Sequence, residues 1–434
     1  MPASPEPGEK GPDTPESGAP AAAPASEEDA RHFVFEIARG MLSDGLQTGE
    51  TVRVATELGQ RLGQEVILMP RWGELIMRTR QPNHRHDLLD IAPCSPHAVA
   101  MHRVAAYMHL ARSTRPDNLA AGLSRLGTIQ RMHATPLLLY VLACIFGAQR
   151  PGAIGLMAIS AGLGALIRRQ MAHLGIGIVW QVGVAAWLAG AIGALAVHWD
   201  LTSRLHLVAL CPAMILVPGP AILNGLMDLS ATRASMGIAR LAYASTLLAA
   251  ICTGLLLGLS LNHVALPLLP GARIVPLWKD VLSAGLAACS FGLLFSMPLR
   301  ALVWPICVGM APHALNWLCK TEFGLSPGEA AGLAAVAAGL VLAPVAHRLD
   351  LPFAGIGFAA VVSMIPGSYV FRMASGLLQL QQPDVDALPT LVATLSHGVT
   401  AVQIALALSL GLIIPKRMHD EWVGRRERLK RMSA

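Results

Sequence analysis

The sequence predicts a polytopic α-helical membrane protein of about ten spans, built as two five-helix halves in inverted repeat behind a small N-terminal soluble α+β domain. Three observations predict it. Of 434 residues, 53% are apolar and 14% charged, and the mean hydropathy is +0.51, whereas soluble domains carry about 25% charged residues. From Pro136 onward, apolar runs of roughly 15–25 residues follow one another, close to the ~20 that a spanning helix needs. Two of those runs contain a Pro-Gly pair at matching positions, Pro218-Gly219 and Pro366-Gly367.

Residues 1–29, rich in Pro, Ala, Ser and acidic residues, have too little apolar content for a core and read as a disordered tail. Residues 30–133 read as the α+β domain, expected on the cytoplasmic side. "HFVFEIARGMLSDG" and "GETVRVATELGQRLG" have helical apolar spacing closed by Gly. "EVILMPRWGELIMRT" reads as a strand pair around a turn, and two further helical stretches follow. No charged segment with an apolar core opens the chain, so no cleavable signal peptide is expected.

The first membrane half spans 134–262 and the second 275–415. The expected spans are 134–149, 151–167, 174–197, 206–227, 237–261, 280–297, 299–318, 328–346, 353–377 and 390–414. The basic tail 416–434, containing "KRMHDEWVGRRERLKR", sets the cytoplasmic side by the positive-inside rule. With an even number of spans, both termini lie there. The net charge of +6 gathers outside the apolar runs, which fits membrane orientation and not nucleic-acid binding. The seven cysteines form no C-x-x-C pair and read as small apolar residues.

The breaks carry the functional reading. Proline removes a backbone donor and clashes with the preceding turn. A broken helix at mid-membrane exposes N–H and C=O groups that bind substrate in secondary transporters built from inverted repeats. Each break falls in the fourth helix of its five, which makes Pro218, Gly219, Pro366, Gly367 and Ser368 candidate substrate-site residues. Charge inside a membrane helix is costly and seldom idle. Arg372, little more than a turn past Gly367, is the expected partner of a substrate carboxylate. Asn224 and Asp228 share a helical face, where they either bind an α-amino group or relay a proton. The competing reading has Asp228 capping the helix and pairing with Arg233 or Arg240. His313, His397 and Gln403 are further polar residues in apolar runs, of which the two histidines read as satisfied packing residues.

"LVPGPAILNGLMDLSATRASMGIARLAYA" resembles the threonine/serine exporter family (ThrE). The residues that carry the resemblance are Leu216, Val217, Pro218, Gly219, Asn224, Asp228 and Gly237-Ile238-Ala239-Arg240, with Ile365 to Ser368 in the second half and Thr51, Arg53 and Val54 in "TGETVRVATEL". Departures are Gly49, Ala55, Met227 and Ser230-Ala231. The resemblance implies a multi-pass protein of the bacterial plasma membrane that exports small amino acids such as threonine and serine. It also implies drive by the proton motive force, so the expected partners are an amino acid, protons and the lipid bilayer. Nucleic acid, cofactors and metals are not expected, and homo-oligomerisation is left open. Thr51, Arg53 and Arg240 are expected in structural or regulatory roles.

Rival classes are weaker. "GLSPG" (Gly324–Gly328) has the spacing of a nucleophile elbow but lies in a loop between spans. His84, His86 and Asp87 fall short of a metal site's three or four fixed ligands and read as a solvated loop. No phosphate-binding P-loop is present. The remaining alternative is a membrane-anchored sensor, or a channel for small zwitterions.

Overall fold

Helix α1 (Glu27–Ser43) starts on a capping box: the Ser26 hydroxyl accepts the Asp29 N–H at 3.1 Å, and the Asp29 carboxylate accepts the Ser26 N–H at 2.9 Å. The expected tail boundary at residue 29 therefore moves back to 26. The computed structural model describes residues 26–80, 87–95, 99–131, 151–199, 205–261, 268, 276–383 and 385–432. The expected span 134–149, His84, His86, Cys144 and most of the tail lie outside the described residues.

After α1 come α2 (Thr48–Arg61), strands β1 (Glu65–Arg71), β2 (Gly73–Arg80) and β3 (Leu88–Cys94), then α3 (Met101–Ser113) and α4 (Leu119–Gln130). The strands form one antiparallel sheet in the order β1-β2-β3, with Leu68 opposite Met77 and Ile76 opposite Ile91. β1 and β2 match the expected hairpin; β3 is an addition. Phe33, Ile37, Leu58, Leu75 and Met77 form the core of this N-terminal layer. Met236, from a helix far along the chain, is buried in the same cluster.

The second part is helical: α5 (Pro151–His173), α6 (Ile178–His198), α7 (Leu205–Met214), α8 (Gly219–Ser230), α9 (Ala234–Ser260), α10 (Leu277–Leu294), α11 (Val303–Thr321), α12 (Pro327–Leu349), α13 (Phe353–Val361), α14 (Gly367–Gln379) and α15 (Ala387–Met432). Among the described residues six helices are long and apolar enough to cross a membrane, or up to eight if each bent pair is one span. The bent pairs are α7–α8, at 47°, and α13 with its 3₁₀ turn (Val362–Met364) followed by α14, at 63°. The basic tail, expected as a separate segment from 416, continues α15 as helix through Met432. Of the cysteines, Cys94, Cys211, Cys252 and Cys319 are buried as expected, while Cys307 is exposed.

Small residues hold the helices together, because lipid supplies no hydrophobic drive between them. α6 and α9 run in the same direction with their backbones in contact. A Cβ on Gly254 would meet the Gly183 carbonyl oxygen at 2.1 Å, and one on Gly258 would meet the Trp187 oxygen at 2.1 Å. α12 and α15 pair in the same sense: a Cβ on Gly332 would meet the Ala407 Cβ at 3.3 Å, and one on Gly411 the Gly332 oxygen at 2.8 Å. A backbone carbonyl cannot rotate away as a side chain can. Gly258→Ala is therefore expected to force α6 and α9 apart and destabilise the protein by about 1–3 kcal/mol, read as a lower unfolding temperature in detergent. An unchanged temperature would refute the close contact.

Candidate functional site

Pro218 and Pro366 stand where a continuous helix would need a donor. Val217 donates its N–H to the Met214 oxygen in an i→i+3 bond, and α8 restarts at Gly219 with Ile222 N–H bonded to the Pro218 carbonyl. The second break repeats this: Ile365 closes the 3₁₀ turn onto Val362, and α14 restarts at Gly367 with Val370 N–H on the Pro366 carbonyl. The two breaks cover each other. The Phe358 ring of α13 lies against Gly219, and Met214 of α7 lies against Gly367. Phe358 is held by Phe291 and Phe295, at ring-centroid distances of 5.7 and 6.0 Å.

Between the breaks lies a cavity of about 260 Å³ walled by Val217 and Gly219 from one break, and by Ile365, Pro366 and Gly367 from the other. α15 completes it with Gly398, Ala401 and Ser409, whose hydroxyl is the polar side-chain group of an otherwise apolar wall. A polar hollow was the expectation here, but the residues facing it are apolar, from Gly398 and Ala401 to Phe358 and Phe371. The opened backbone at the breaks is what remains to meet polar substrate groups.

Asn224 and Asp228 do not line this cavity. They face the N-terminal layer, at the far end of α8. Asp228, fully buried, forms an ion pair with Arg240 of α9 at 3.1 Å and accepts the Thr48 hydroxyl at 2.9 Å. Arg240 in turn donates to the Thr48 oxygen at 3.3 Å. The Asn224 amide donates to the Gly45 carbonyl at 3.2 Å, in a turn where Gly45 takes φ 94°. The α1–α2 turn, α8 and α9 are thus clasped by one buried polar cluster. The cluster is not saturated: Oδ1 of Asn224 and Oδ1 of Asp228 are buried and accept no hydrogen bond among the described residues. Each unmet acceptor costs about 1–3 kcal/mol, so the clasp is cheaper to open than its ion pair suggests.

The layer also grips the second half of the chain. At the start of α3, Met101 and His102 donate their N–H groups to the carbonyls of Phe295 and Ser296, at 2.9 and 3.1 Å. Arg112 donates to Asp350, the left-handed residue that ends α12, at 2.6 Å. Behind these contacts Arg103 forms an ion pair with the buried Asp44. Burial pushes the Asp44 carboxyl up to about 6, although Arg103 pulls the other way. Between those two values the folded protein therefore holds a proton that the unfolded chain, with a pKa near 3.8, has released. The associated stability is full below pH 3.8 and is lost as pH rises through 6. Raising the pH from 4 to 6 should lower the unfolding temperature of the wild type by a component, about 3 kcal/mol at most, that Asp44→Asn lacks. Parallel wild-type and variant profiles would refute this.

The other expected residues divide. Arg372 is half-buried on α14 and forms no hydrogen bond or ion pair among the described residues. It lies outside the cavity wall, as does Ser368. The Thr51 hydroxyl bonds back to the Gln47 carbonyl, and Arg53 pairs with Glu50 and Glu57 on its own helix. Ser326 of the G-x-S-x-G match caps α12, so that serine is a helix start. Asp87 pairs with Arg78. His397 bonds the Leu268 carbonyl at 2.7 Å, a satisfied histidine as expected, while Gln403 is exposed. Reading the sequence alone missed the roles of Gly45 and Thr48, and of Asp280 and Ser363, which bracket His313. The one available signal was Asp280, a carboxylate at the edge of an apolar run.

A family model described as "Putative threonine/serine exporter" matches residues 32–262. A second, "Threonine/Serine exporter, ThrE", matches residues 280–418. No solved structure matches the chain. The first match takes in the N-terminal layer, the clasp and the first break; the second takes in the second break and most of α15. On these two matches, the multi-pass helical protein with paired Pro-Gly breaks belongs to the threonine/serine exporter family.

Proposed function

We propose that this transporter exports threonine, serine or a similarly small amino acid against its gradient, driven by protons, through the cavity where the two broken helices cross. The observation that carries the proposal is the shared cavity: both Pro-Gly pairs contribute to its wall. Its volume, about 260 Å³, falls below the roughly 300–1,000 Å³ typical of drug-sized ligand sites. The apolar wall suits a short side chain, and Ser409 supplies a partner for a hydroxyl. Because α8 and α14 both begin at the breaks, the positive ends of two helix dipoles converge there. That is a place for the substrate carboxylate, with Arg372 about one turn along α14 to receive it on the way out.

Two five-helix halves in inverted repeat, ten spans in all, account for several features together. They explain the reciprocal cover of Gly219 by Phe358 and of Gly367 by Met214, and the matching co-directional pairs α6–α9 and α12–α15. In this reading residues 30–133 form a cytoplasmic domain of a bacterial plasma-membrane protein with both termini inside. Asn224 and Asp228 then act from the clasp, holding that domain over the inner end of α8.

The test is efflux from proteoliposomes loaded with single labelled amino acids, with and without a proton gradient. Threonine and serine should leave faster with the gradient, and a protonophore should abolish the difference. Equal fluxes in both conditions would refute coupling and favour a channel. Failure to move any amino acid would refute the exporter reading.

A further inference from the structure

A second polar chain, partly buried, enters the helical part from the side away from the N-terminal layer. His313 of α11, 6% exposed, approaches the Asp280 carboxylate of α10 through Nε2 at 2.9 Å. Its Nδ1 lies 3.0 Å from the hydroxyl of Ser363. Ser363 sits in the 3₁₀ turn Val362–Met364, directly before Ile365 and Pro366, which line the cavity. Asp280 stands fourteen residues before the end of α10 at Leu294, about 21 Å along the axis at 1.5 Å per residue. The N-terminal layer grips the chain just past that end, at Phe295 and Ser296. The chain of contacts thus runs from the opposite face inward to the second break.

We propose that His313 carries the coupled proton, that Asp280 holds it there as the counter-charge, and that Ser363 relays it to Nδ1 and passes the charge state to the break. This rests on the proton-driven reading above. The chemistry follows from the donor inventory. An ionised carboxylate only accepts, so neutral His313 keeps its proton on Nε2 toward Asp280 and presents a bare Nδ1. The Ser363 hydroxyl then donates to Nδ1. A proton arriving at the Ser363 oxygen forms a new O–H bond there as the original hydroxyl proton passes to Nδ1; the imidazole then carries N–H at both nitrogens, Asp280 balances its charge beside Nε2–H, and one proton is taken up in all. Nδ1–H now donates to the Ser363 oxygen, and the serine hydrogen must turn to another acceptor in the 3₁₀ turn. Protonation is thereby converted into a reversed hydrogen bond at the hinge of the broken helix.

The surroundings single out this histidine. α10 contributes Asp280; Lys279, next to it, lies over the Trp278 ring at 5.2 Å. α11 contributes Lys320, whose charge acts on Asp280. At this end α12 offers Glu329, engaged in the Ser326 cap. α13 and the 3₁₀ turn contain no titratable residue. Ionisable groups within membrane helices mark ion pathways and proton relays, and this one is bonded at both ring nitrogens.

The experiment compares two fluxes of threonine in proteoliposomes: efflux driven by an imposed pH gradient, and threonine–threonine exchange without one. In the wild type the gradient-driven rate should exceed the ungraded rate. In His313→Gln the ratio of gradient-driven flux to exchange should fall at least about tenfold, a loss of one decade in driving response. Ser363→Ala should lower the same ratio while threonine still exchanges. Asp280→Asn, which retains an acceptor for Nε2–H, should move the pH midpoint of driven efflux about one unit lower, because the neighbouring negative charge that favours imidazolium is gone. A His313→Gln ratio equal to wild type overturns the proposal. If that variant does not reach the membrane, an unmoved midpoint in Asp280→Asn overturns it. A wild type that moves threonine with no response to the gradient overturns the coupled reading and this assignment together. A wild type that moves none overturns the exporter reading itself.

Discussion

Arg240→Ala should unfold the clasp and lower the stability of the whole chain. The side chain is 1% exposed and faces an Asp228 that is fully buried. Removing the cation leaves a carboxylate in a low-dielectric site with only the Thr48 hydroxyl donating to it. Removing one partner of a buried pair typically costs about 3–5 kcal/mol, comparable with the lower end of total stability for many proteins. The variant should accumulate poorly, melt at a lower temperature in detergent, and expose the N-terminal layer to protease. Asp228→Ala should be as damaging, since it strands Arg240. The double change Asp228→Asn with Arg240→Met should recover part of the loss, because neutral replacement of both partners leaves no unpaired charge buried. A double-mutant cycle with no coupling between the two positions would refute the clasp.

Gly219→Ala should stop transport, and Gly367→Ala should not. A Cβ on Gly219 would lie 1.4 Å from the Phe358 ring, which is wedged between Phe291 and Phe295 and has little room to yield. On Gly367 the nearest atom is the Met214 terminal methyl at 3.2 Å, the far end of a flexible side chain. Overpacking at the first position should cost about 1–3 kcal/mol and splay the crossing of the two breaks. Phe358→Leu should partly rescue Gly219→Ala, because the smaller side chain frees the space the new methyl needs. Equal transport by the two alanine variants would refute the asymmetric packing at the breaks.

The breaks themselves were legible in the sequence because proline's missing N–H acts locally, whatever the tertiary setting. The long apolar helices were legible for the same kind of reason: about 20 apolar residues in a row leave few alternatives. β3 was not: Leu88–Cys94 contains Pro93, and although its positions alternate between half-buried and exposed, its residue types do not alternate between apolar and polar. The use made of Asp228 was half legible. Its pairing with Arg240 was one of the two readings, but the partner that gives the pair its role, Thr48, is 180 residues away. His313 read as a packing histidine because Asp280 and Ser363 lie 33 and 50 residues from it. Only the fold brings a carboxylate and a hydroxyl to its two nitrogens. The apolar wall of the cavity was also hidden, because which face of a helix turns toward the break depends on how α15 packs.

The proposed substrate path runs between the two breaks. The most direct measurement is the rate at which a thiol reagent labels a cysteine placed at Ser409, quantified at that residue by mass spectrometry with and without threonine. Ser409 is buried on α15 and faces the cavity. Threonine at a saturating concentration should slow the labelling severalfold, and an amino acid that is not transported should leave it unchanged. Labelling that ignores threonine in protein shown to transport it would place the pathway elsewhere and contradict the account.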